Sequence, residues 1–265
     1  MTISLSSIPE KEANRLTILW QQHGPNTYPI DLDELIDGAI TKSDFRDSLS
    51  VNRSNFDSIE GCLVRKRGTQ SWSILLNEAI GNKRRQRFTF AHELGHFMCH
   101  RYLQEKFEDG EGNLNDFRSE REREANVFAA WLLMPANLIR EEFCARAWTT
   151  ELLCEIGTRF ESSLQASALR YVNMSSKPCA FVASRDGMIL WSCKSKSAPF
   201  LRSYKFGDEL PVGSAAASTI GSSTSATTEA LASGNAWSDT QCCNESQYFD
   251  SSGQGYQYTC IEFTG

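Results

Sequence analysis

One short motif constrains this chain more than any other feature, the sequence H-E-L-G-H at residues 92–96. It places two imidazoles, His92 and His96, four residues apart, with the carboxylate of Glu93 beside the first. Residues four apart lie on the same face of an α-helix. Residues 87–91 contain no glycine or proline, and apolar residues continue at helical spacing after the motif begins. The pattern therefore predicts a partly buried helix that presents both histidines in one direction.

Two imidazoles in this arrangement can bind one metal ion at about 2.0–2.1 Å. The H-E-x-x-H pattern is typical of zinc peptidases, whose glutamate lies beside the metal. Zinc lowers the pKa of a bound water to about 7, and a neighbouring carboxylate can take its proton and deliver it to a leaving amine. We therefore predict His92 and His96 as metal ligands and Glu93 as the general base. A chance match on an ordinary buried helix is the alternative.

Two further residues of this helix need an explanation. Gly95 costs about 1 kcal/mol relative to alanine inside a helix, so we expect it to allow the close approach of another backbone or of a substrate. His100 lies about 12 Å along the helix axis from His92, which is too far for both to bind one ion. We expect His100 to pack in the core or to orient a ligand.

A catalytic zinc normally has three protein ligands, so the third must come from another segment. The next predicted helix opens in an acidic run and ends before Pro135. Spacings of four, three and four place one set of its residues on a common face: Glu122, Asn126, Ala129 and Leu133. Glu120 and Glu124 are alternatives to Glu122 as the third ligand. An acidic cluster at a helix start is usually a solvated first turn, so the cluster by itself does not identify the ligand.

The two segments together resemble the ImmA/IrrE metallopeptidases. Members carry a run like R-F-T-x-A-H-E-L-G-H and, later, E-x-x-A-N-x-F-A-A-x-L-L-M-P; residues 87–96 and 122–135 match these patterns. The resemblance implies His92, His96 and Glu122 as ligands of Zn²⁺, with Mn²⁺ as the alternative metal, and Glu93 as the general base. It covers residues 87–135 densely and residues 10–173 loosely.

The resemblance also implies a function, a cytoplasmic zinc-dependent endopeptidase. Its substrate would be a protein, typically a helix-turn-helix repressor whose cleavage derepresses stress-response or mobile-element genes. Tyr28, His100 and Tyr102 are candidates for the group that stabilises the oxyanion. Two other classes stay open, a non-proteolytic zinc-dependent sensor or adaptor and a DNA-binding transcription regulator. A closed fourth ligand position would indicate the first, and a steep salt dependence of DNA affinity the second.

Composition narrows the choice of partners. A net charge of -6 and a pI near 5.4 argue against a broadly basic surface, so direct nucleic-acid binding is not expected. The sequence has no apolar run long enough for a spanning helix and no secretory signal, so we expect no membrane partner. The nine cysteines are an odd number and have no ligand-like spacing. Because disulfide frameworks usually occur in short secreted chains, we expect reduced thiols in the cytoplasm. A redox-sensing role for Cys242, Cys243 or Cys260 is the alternative.

The predicted fold class is α+β. We expect a mainly helical, zincin-like metallopeptidase domain with a small sheet at residues 1–147, a helix-turn-helix-like segment at 148–176 and a small C-terminal α+β domain at 177–265. A GAF-like sensor is one interpretation of the last. Beside the two metal-site helices, the patterns predict helices at 10–22, after Asp31, and at 138–145, 149–160 and 163–172, with Asp31 and Ser163 as N-caps. They predict strands at 61–67, 72–77, 179–184, 188–193, 200–206 and 256–263, and a hairpin turn at residues 185–187. Strand 72–77 either borders the active-site cleft or lies in the core.

Overall fold

The computed structural model describes residues 8–41, 46–103, 106–108, 116–218, 231–232, 234–250 and 255–264. Helices and two sheets occupy much of these residues, which confirms the predicted α+β class. The chain divides into two compact units. Unit 1 comprises Met1–Pro135 and Arg159–Ser162, and unit 2 comprises Ala136–Thr158 and Ser163–Gly265. The three-part division predicted at residues 147 and 176 stays a prediction.

Unit 1 combines four α-helices with a four-stranded sheet in the described residues. The helices are α1 (Pro9–His23), α2 (Leu32–Ile36), α3 (Lys83–His100) and α4 (Asp116–Leu133), with a π-helical turn (Asp37–Thr41) after α2. The strands are β1 (Ser48–Ser54), β2 (Gly61–Arg65), β3 (Ser71–Asn77) and β4 (Lys106–Glu108). Their order is β1-β3-β2-β4; β1 and β3 are parallel and the other pairs antiparallel.

Local chemistry explains where these helices begin. The Asp31 side chain accepts a hydrogen bond from the backbone N–H of Glu34, which confirms the predicted cap of α2. Asn82 caps α3 in the same way, through the backbone N–H of Arg85. From Thr89 onward nearly every residue of α3 is buried, because the helix packs against β2, β3 and α4. The first turn of α3 is polar and the rest lies in the core.

Strand β3 is an interior strand. It pairs with β1 along its whole length and with β2 along five residues, and the side chains of Trp72 and Ile74 are buried. Both backbone edges are therefore occupied, and an extended peptide has no edge of β3 to pair with. Of the two interpretations of residues 72–77, the structure favours the core strand.

Unit 2 is built around a five-stranded antiparallel sheet in the order β6-β5-β9-β8-β7. Its strands are β5 (Cys179–Arg185), β6 (Met188–Lys194), β7 (Leu231–Ala232), β8 (Cys242–Phe249) and β9 (Tyr256–Thr264). Its helices are α5 (Ala136–Leu138), which continues into a π-helical turn (Ile139–Phe143), α6 (Thr150–Arg159), α7 (Leu164–Met174) and α8 (Ala215–Ser218). The last residue of α6 belongs to unit 1.

Two predictions in unit 2 are confirmed by their local chemistry. Asp186 and Gly187 both have positive φ, at 52° and 81°, which is the backbone of a tight hairpin turn between β5 and β6. Ser163 accepts a hydrogen bond from the backbone N–H of Ala166 and so caps α7. The GAF-like interpretation of this part of the chain stays a prediction.

The strand predicted at residues 200–206 is wrong. The Asp208 carboxylate accepts hydrogen bonds from the backbone N–H groups of Tyr204 and Lys205, at 3.0 and 2.9 Å, and folds this segment into a turn. Those amides are then unavailable to a neighbouring strand. Much of the Ser-, Ala- and Thr-rich stretch at 213–234 lies outside the described residues; the described part contains α8 and β7.

Among the described helices, none combines the length and the hydropathy needed to cross a membrane.

Candidate metal centre

The candidate centre begins with α3, which carries His92 and His96 on one face in unit 1. Both side chains are buried, with 4% and 1% of their surface exposed. Their rings meet edge to face with centroids 4.7 Å apart, and the two Nε2 atoms are 3.0 Å apart. The helical spacing of four residues therefore directs both ring nitrogens to one point, as the motif predicts.

Helix α4 brings a carboxylate and an amide to the same point. Glu122 Oε2 lies 3.1 Å from His92 Nε2 and 3.5 Å from His96 Nε2. One turn further along α4, Asn126 Oδ1 lies 3.0 Å from His92 Nδ1. If a metal binds at Nε2, the His92 proton lies on Nδ1, where the amide oxygen of Asn126 can accept it. The sequence places Asn126 on the same helix face as Glu122, but its contact with His92 is evident only from the structure.

The three ligand atoms have the spacing that a tetrahedral zinc site requires. Bonds of 2.0–2.1 Å in tetrahedral geometry separate neighbouring ligand atoms by about 3.3–3.4 Å. The separations among His92 Nε2, His96 Nε2 and Glu122 Oε2 are 3.0, 3.1 and 3.5 Å. The three residues together form a group that could hold a metal ion. Two imidazoles and a carboxylate also match the donor types of catalytic zinc sites.

The protonation states of these groups suit a metal as well. Burial lowers the pKa of His96 to about 4, against the opposing hydrogen bond with Glu122. Burial by itself raises the pKa of Glu122, but hydrogen bonds with His92 and His96 outweigh it and hold that pKa well below its usual range. Near neutral pH His96 is thus a neutral imidazole and Glu122 a carboxylate, the forms in which each binds a metal.

Glu93 is buried beside the centre, with 1% of its surface exposed. The start of β2 passes so close to α3 that a Cβ on Gly61 would lie 3.1 Å from Glu93 Oε1 and 2.5 Å from Thr89 Cγ2. Glycine is therefore needed at position 61, and its backbone forms one wall around the Glu93 side chain. No local sequence pattern distinguishes Gly61, because its partner Glu93 lies thirty-two positions further along the chain.

His100 and Glu124 form a second pair next to the ligands. His100 is 2% exposed; its Nδ1 lies 3.0 Å from His96 Nδ1 and its Nε2 lies 2.8 Å from Glu124 Oε2. Burial lowers the pKa of His100, which favours the neutral ring. His100 thus contacts the far side of a predicted ligand, and Glu124 contacts His100.

The two tyrosines considered for the oxyanion have partners elsewhere. The Tyr28 hydroxyl accepts a hydrogen bond from Gln21 Nε2, and its ring packs edge to face against Phe160. Tyr102 is 76% exposed and its hydroxyl accepts a hydrogen bond from Arg101. The structure does not bring either of them to the three-residue group, and the oxyanion assignment stays open.

The nine cysteines all lie in the described residues, and no disulfide joins them. Burial raises the pKa of Cys243 to about 12 and raises that of Cys260 well above its usual value, while Cys242 is exposed. Because the thiolate is the reactive form, Cys243 and Cys260 are poor candidates for redox sensing.

The sequence model described as the IrrE N-terminal-like domain, of the M78 peptidases, matches residues 48–171. Residues 48–171 are therefore similar to the IrrE N-terminal-like domain. The matched range contains the whole of α3 and α4, and hence every residue of the candidate centre. The match confirms the ImmA/IrrE resemblance and supports a metallopeptidase-type region over these residues.

A comparison with solved structures concerns the fold of the chain. The chain is similar to a solved structure described as a Mycobacterium tuberculosis transcriptional regulator, with 14% sequence identity and a TM-score of 0.56 over 96% of this chain and 76% of that one. At this identity the similarity concerns the fold alone. No curated protein sequence matches the chain.

Proposed function

We propose that this protein is a cytoplasmic, zinc-dependent endopeptidase that cleaves a helix-turn-helix transcriptional repressor. The observation that carries the proposal is the meeting of His92, His96 and Glu122 at separations of 3.0–3.5 Å, with Glu93 on the same turn of α3. The IrrE N-terminal-like match over residues 48–171 supports it. Manganese is the alternative metal.

The residues divide the chemistry among them. His92, His96 and Glu122 would hold the metal, which supplies Lewis acidity at the scissile carbonyl and activates water when bound. Glu93 would take a proton from the attacking water and return it to the leaving amine, a role that typically contributes about 10²–10⁴-fold in rate. Asn126 would keep the His92 ring in the orientation and tautomer that the metal needs, through the contact at Nδ1.

The substrate proposal rests on the ImmA/IrrE resemblance, in which cleavage of a repressor derepresses stress-response or mobile-element genes. A DNA-binding regulator is a second candidate, because a solved structure with this fold is described as a transcriptional regulator. Arg170, the cation that α7 offers for DNA, is only 5% exposed and cannot reach a phosphate without leaving its buried position. This favours the peptidase.

The decisive experiment tests cleavage of purified helix-turn-helix repressors from the same organism, beginning with any that is encoded beside the gene of this protein. The purified protein and the Glu93→Gln variant are loaded with Zn²⁺ or Mn²⁺, and new peptide termini are identified by mass spectrometry. We expect cleavage by the parent and a loss of at least about 10²-fold in rate in Glu93→Gln, because glutamine cannot accept the proton.

The metal content of both proteins is the control. Glu93→Gln keeps the three ligands, so it should bind one metal ion as the parent does. Equal metal binding without cleavage by the parent would favour the non-proteolytic sensor or adaptor. Cleavage that survives in Glu93→Gln would overturn the role of Glu93.

A further inference from the structure

The two predicted imidazole ligands, His92 and His96, differ in the group that contacts the ring nitrogen facing away from the metal position, Nδ1. Behind His92, the neutral amide of Asn126 lies 3.0 Å from Nδ1. Behind His96 lies a second imidazole, His100, with a carboxylate on its far side. A metal-binding histidine usually donates its other N–H directly to a carboxylate, a carbonyl or a water. Here a histidine stands between the ligand and the carboxylate.

The protons in this chain of groups can be assigned in one consistent way. His96 Nε2 lies 3.0 Å from His92 Nε2, on the metal side, so it must be unprotonated to bind an ion. The His96 proton is then on Nδ1, from which it is donated to His100 Nδ1 at 3.0 Å. His100 Nδ1 is the acceptor, so its proton is on Nε2, which donates to Glu124 Oε2 at 2.8 Å. Every contact then joins one donor to one acceptor.

Burial makes this chain of hydrogen bonds effective. His96 and His100 are 1% and 2% exposed, so water does not compete for their ring nitrogens. The Glu124 side chain is 31% exposed, and it forms the outer end of the chain. In a low-dielectric interior, a carboxylate polarises the hydrogen bonds that lead to it. The negative charge of Glu124 therefore increases the electron density of His96 through His100.

We infer that His100 and Glu124 are positioning residues of the metal centre, and that Glu124 strengthens the binding of the metal by acting on His96 through His100. The inference rests on the proposed metal centre, but it does not require that the protein cleave peptides. Glu124, which competed with Glu122 as a ligand from sequence alone, thus acts on the metal two groups away.

The test is a double-mutant cycle on metal affinity. The dissociation constant of Zn²⁺ is measured by competition with a chelator for the parent, His100→Phe, Glu124→Ala and the double variant. We expect each single variant to weaken binding by about 10–100-fold, as for other residues that orient a metal ligand. Because Glu124 acts through His100, Glu124→Ala should change the affinity of His100→Phe by less than about twofold.

Two matched variants separate this role from general effects. Glu124→Gln keeps an oxygen that accepts the His100 proton but lacks the negative charge, so it should recover only part of the affinity lost in Glu124→Ala. Glu120→Ala removes an exposed carboxylate from the same helix and should leave the affinity unchanged. The visible spectrum of bound Co²⁺ should shift in His100→Phe and Glu124→Ala and not in Glu120→Ala, since it reports the geometry of the ligands.

The outcomes decide the inference whether or not the peptidase proposal holds. His100 is buried, so His100→Phe could fail to fold. In that case Glu124→Ala alone tests the inference, because the Glu124 side chain is partly exposed. Parent-like zinc affinity and an unshifted Co²⁺ spectrum in Glu124→Ala would overturn the inference. If the losses of zinc affinity in the two single variants multiply in the double variant, Glu124 does not act through His100. If the variants show that His100 and Glu124 strengthen zinc binding but no peptide is cleaved, the inference holds and only the proposed peptidase activity is overturned.

Discussion

At the scale of single residues, the centre depends on one position that carries no side chain. Gly61 begins β2, and its backbone lies against the Thr89 and Glu93 side chains of α3. A methyl group there would meet Thr89 Cγ2 at 2.5 Å and the Glu93 side chain at 3.1 Å. Real Cβ atoms do not approach other atoms to 2.5 Å, so the strand or the Thr89 side chain must move, and the Glu93 side chain must yield as well.

We predict that Gly61→Ala lowers kcat for peptide cleavage by about 10–100-fold, because a displacement of about 1 Å at a catalytic group can cost that much. The affinity for Zn²⁺ should change little, since Gly61 meets Glu93 and not the ligands. Steady-state kinetics and zinc titration check the two statements.

Two further variants test the cause of that loss. Thr89→Ser removes the methyl group with the shortest contact, so it should restore part of the activity of Gly61→Ala. Gly81→Ala adds a methyl group where no atom lies within 4 Å and should behave as the parent. Full activity in Gly61→Ala would contradict the proposed role of this contact.

At this scale the sequence identifies residue types but not the residues that each of them contacts. The acidic run at the start of α4 offers Glu120, Glu122 and Glu124 without a local signal that distinguishes them. The fold distinguishes two of them: Glu122 lies 3.1 Å from His92, and Glu124 lies 2.8 Å from His100. These contacts join residues 24–30 positions apart, so no spacing rule within one helix could predict them.

At the scale of elements, the centre depends on how closely α3 and α4 approach. Gly95 of α3 faces the buried ring of Phe128 on α4; an added Cβ would lie 3.0–3.2 Å from Phe128 atoms. The close approach expected for Gly95 is therefore made by a side chain of the neighbouring helix. It brings Glu122 of α4 within hydrogen-bond distance of His92 of α3.

We predict that Gly95→Ala destabilises the protein without metal by about 1–3 kcal/mol, the typical cost of overpacking a core. The better helix propensity of alanine offsets about 1 kcal/mol at most. Zinc affinity should fall as well, because separating the helices moves Glu122 away from the imidazoles. Denaturant unfolding and zinc titration measure both effects.

A compensating variant shows whether the separation of the helices is the cause. Phe128→Leu removes ring atoms that the new methyl group would meet, so the double variant should recover zinc affinity relative to Gly95→Ala. If Gly95→Ala kept both the stability and the affinity of the parent, the packing argument for Gly95 would be wrong.

Elements with a local signal were predictable, and those that depend on partners were not. The hairpin at Asp186 and Gly187 has its turn chemistry in two adjacent residues. By contrast, residues 200–206 have the composition of a strand, but Asp208 binds their amides and makes a turn. Residues 72–77 have the composition of a strand, but the interior place of β3 depends on its pairing with both β2 and β1, the latter in parallel.

At the scale of the whole molecule, all three predicted ligands, the base and the His100–Glu124 pair belong to unit 1. A ligand that binds only the native state stabilises it by about 2.7 kcal/mol at a concentration a hundred times its dissociation constant. The stabilisation acts first on the elements that supply the ligands. In this chain those elements are α3 and α4.

We predict that Zn²⁺ added to the metal-free protein slows amide hydrogen exchange in α3 and α4, with smaller changes in the sheet of unit 2. Exchange followed by mass spectrometry with and without zinc measures the effect. A His92→Ala and His96→Ala double variant, which lacks two ligands, should show no zinc-dependent change. Equal protection of both units would indicate that metal binding stabilises the chain as a single cooperative body.

The sequence by itself determined what depends on residues near one another in the chain. It determined the helix that carries His92 and His96, the caps at Asp31 and Ser163, and the α+β class, because helical spacing and capping act within a few residues. The family resemblance already implies that Glu122 joins the two imidazoles, but only the tertiary structure gives their distances. Only the tertiary structure decided that His100 and Glu124 lie behind His96 and that Gly61 borders Glu93. Those contacts join separate elements, and their distances are set by how α3 packs against α4 and the sheet.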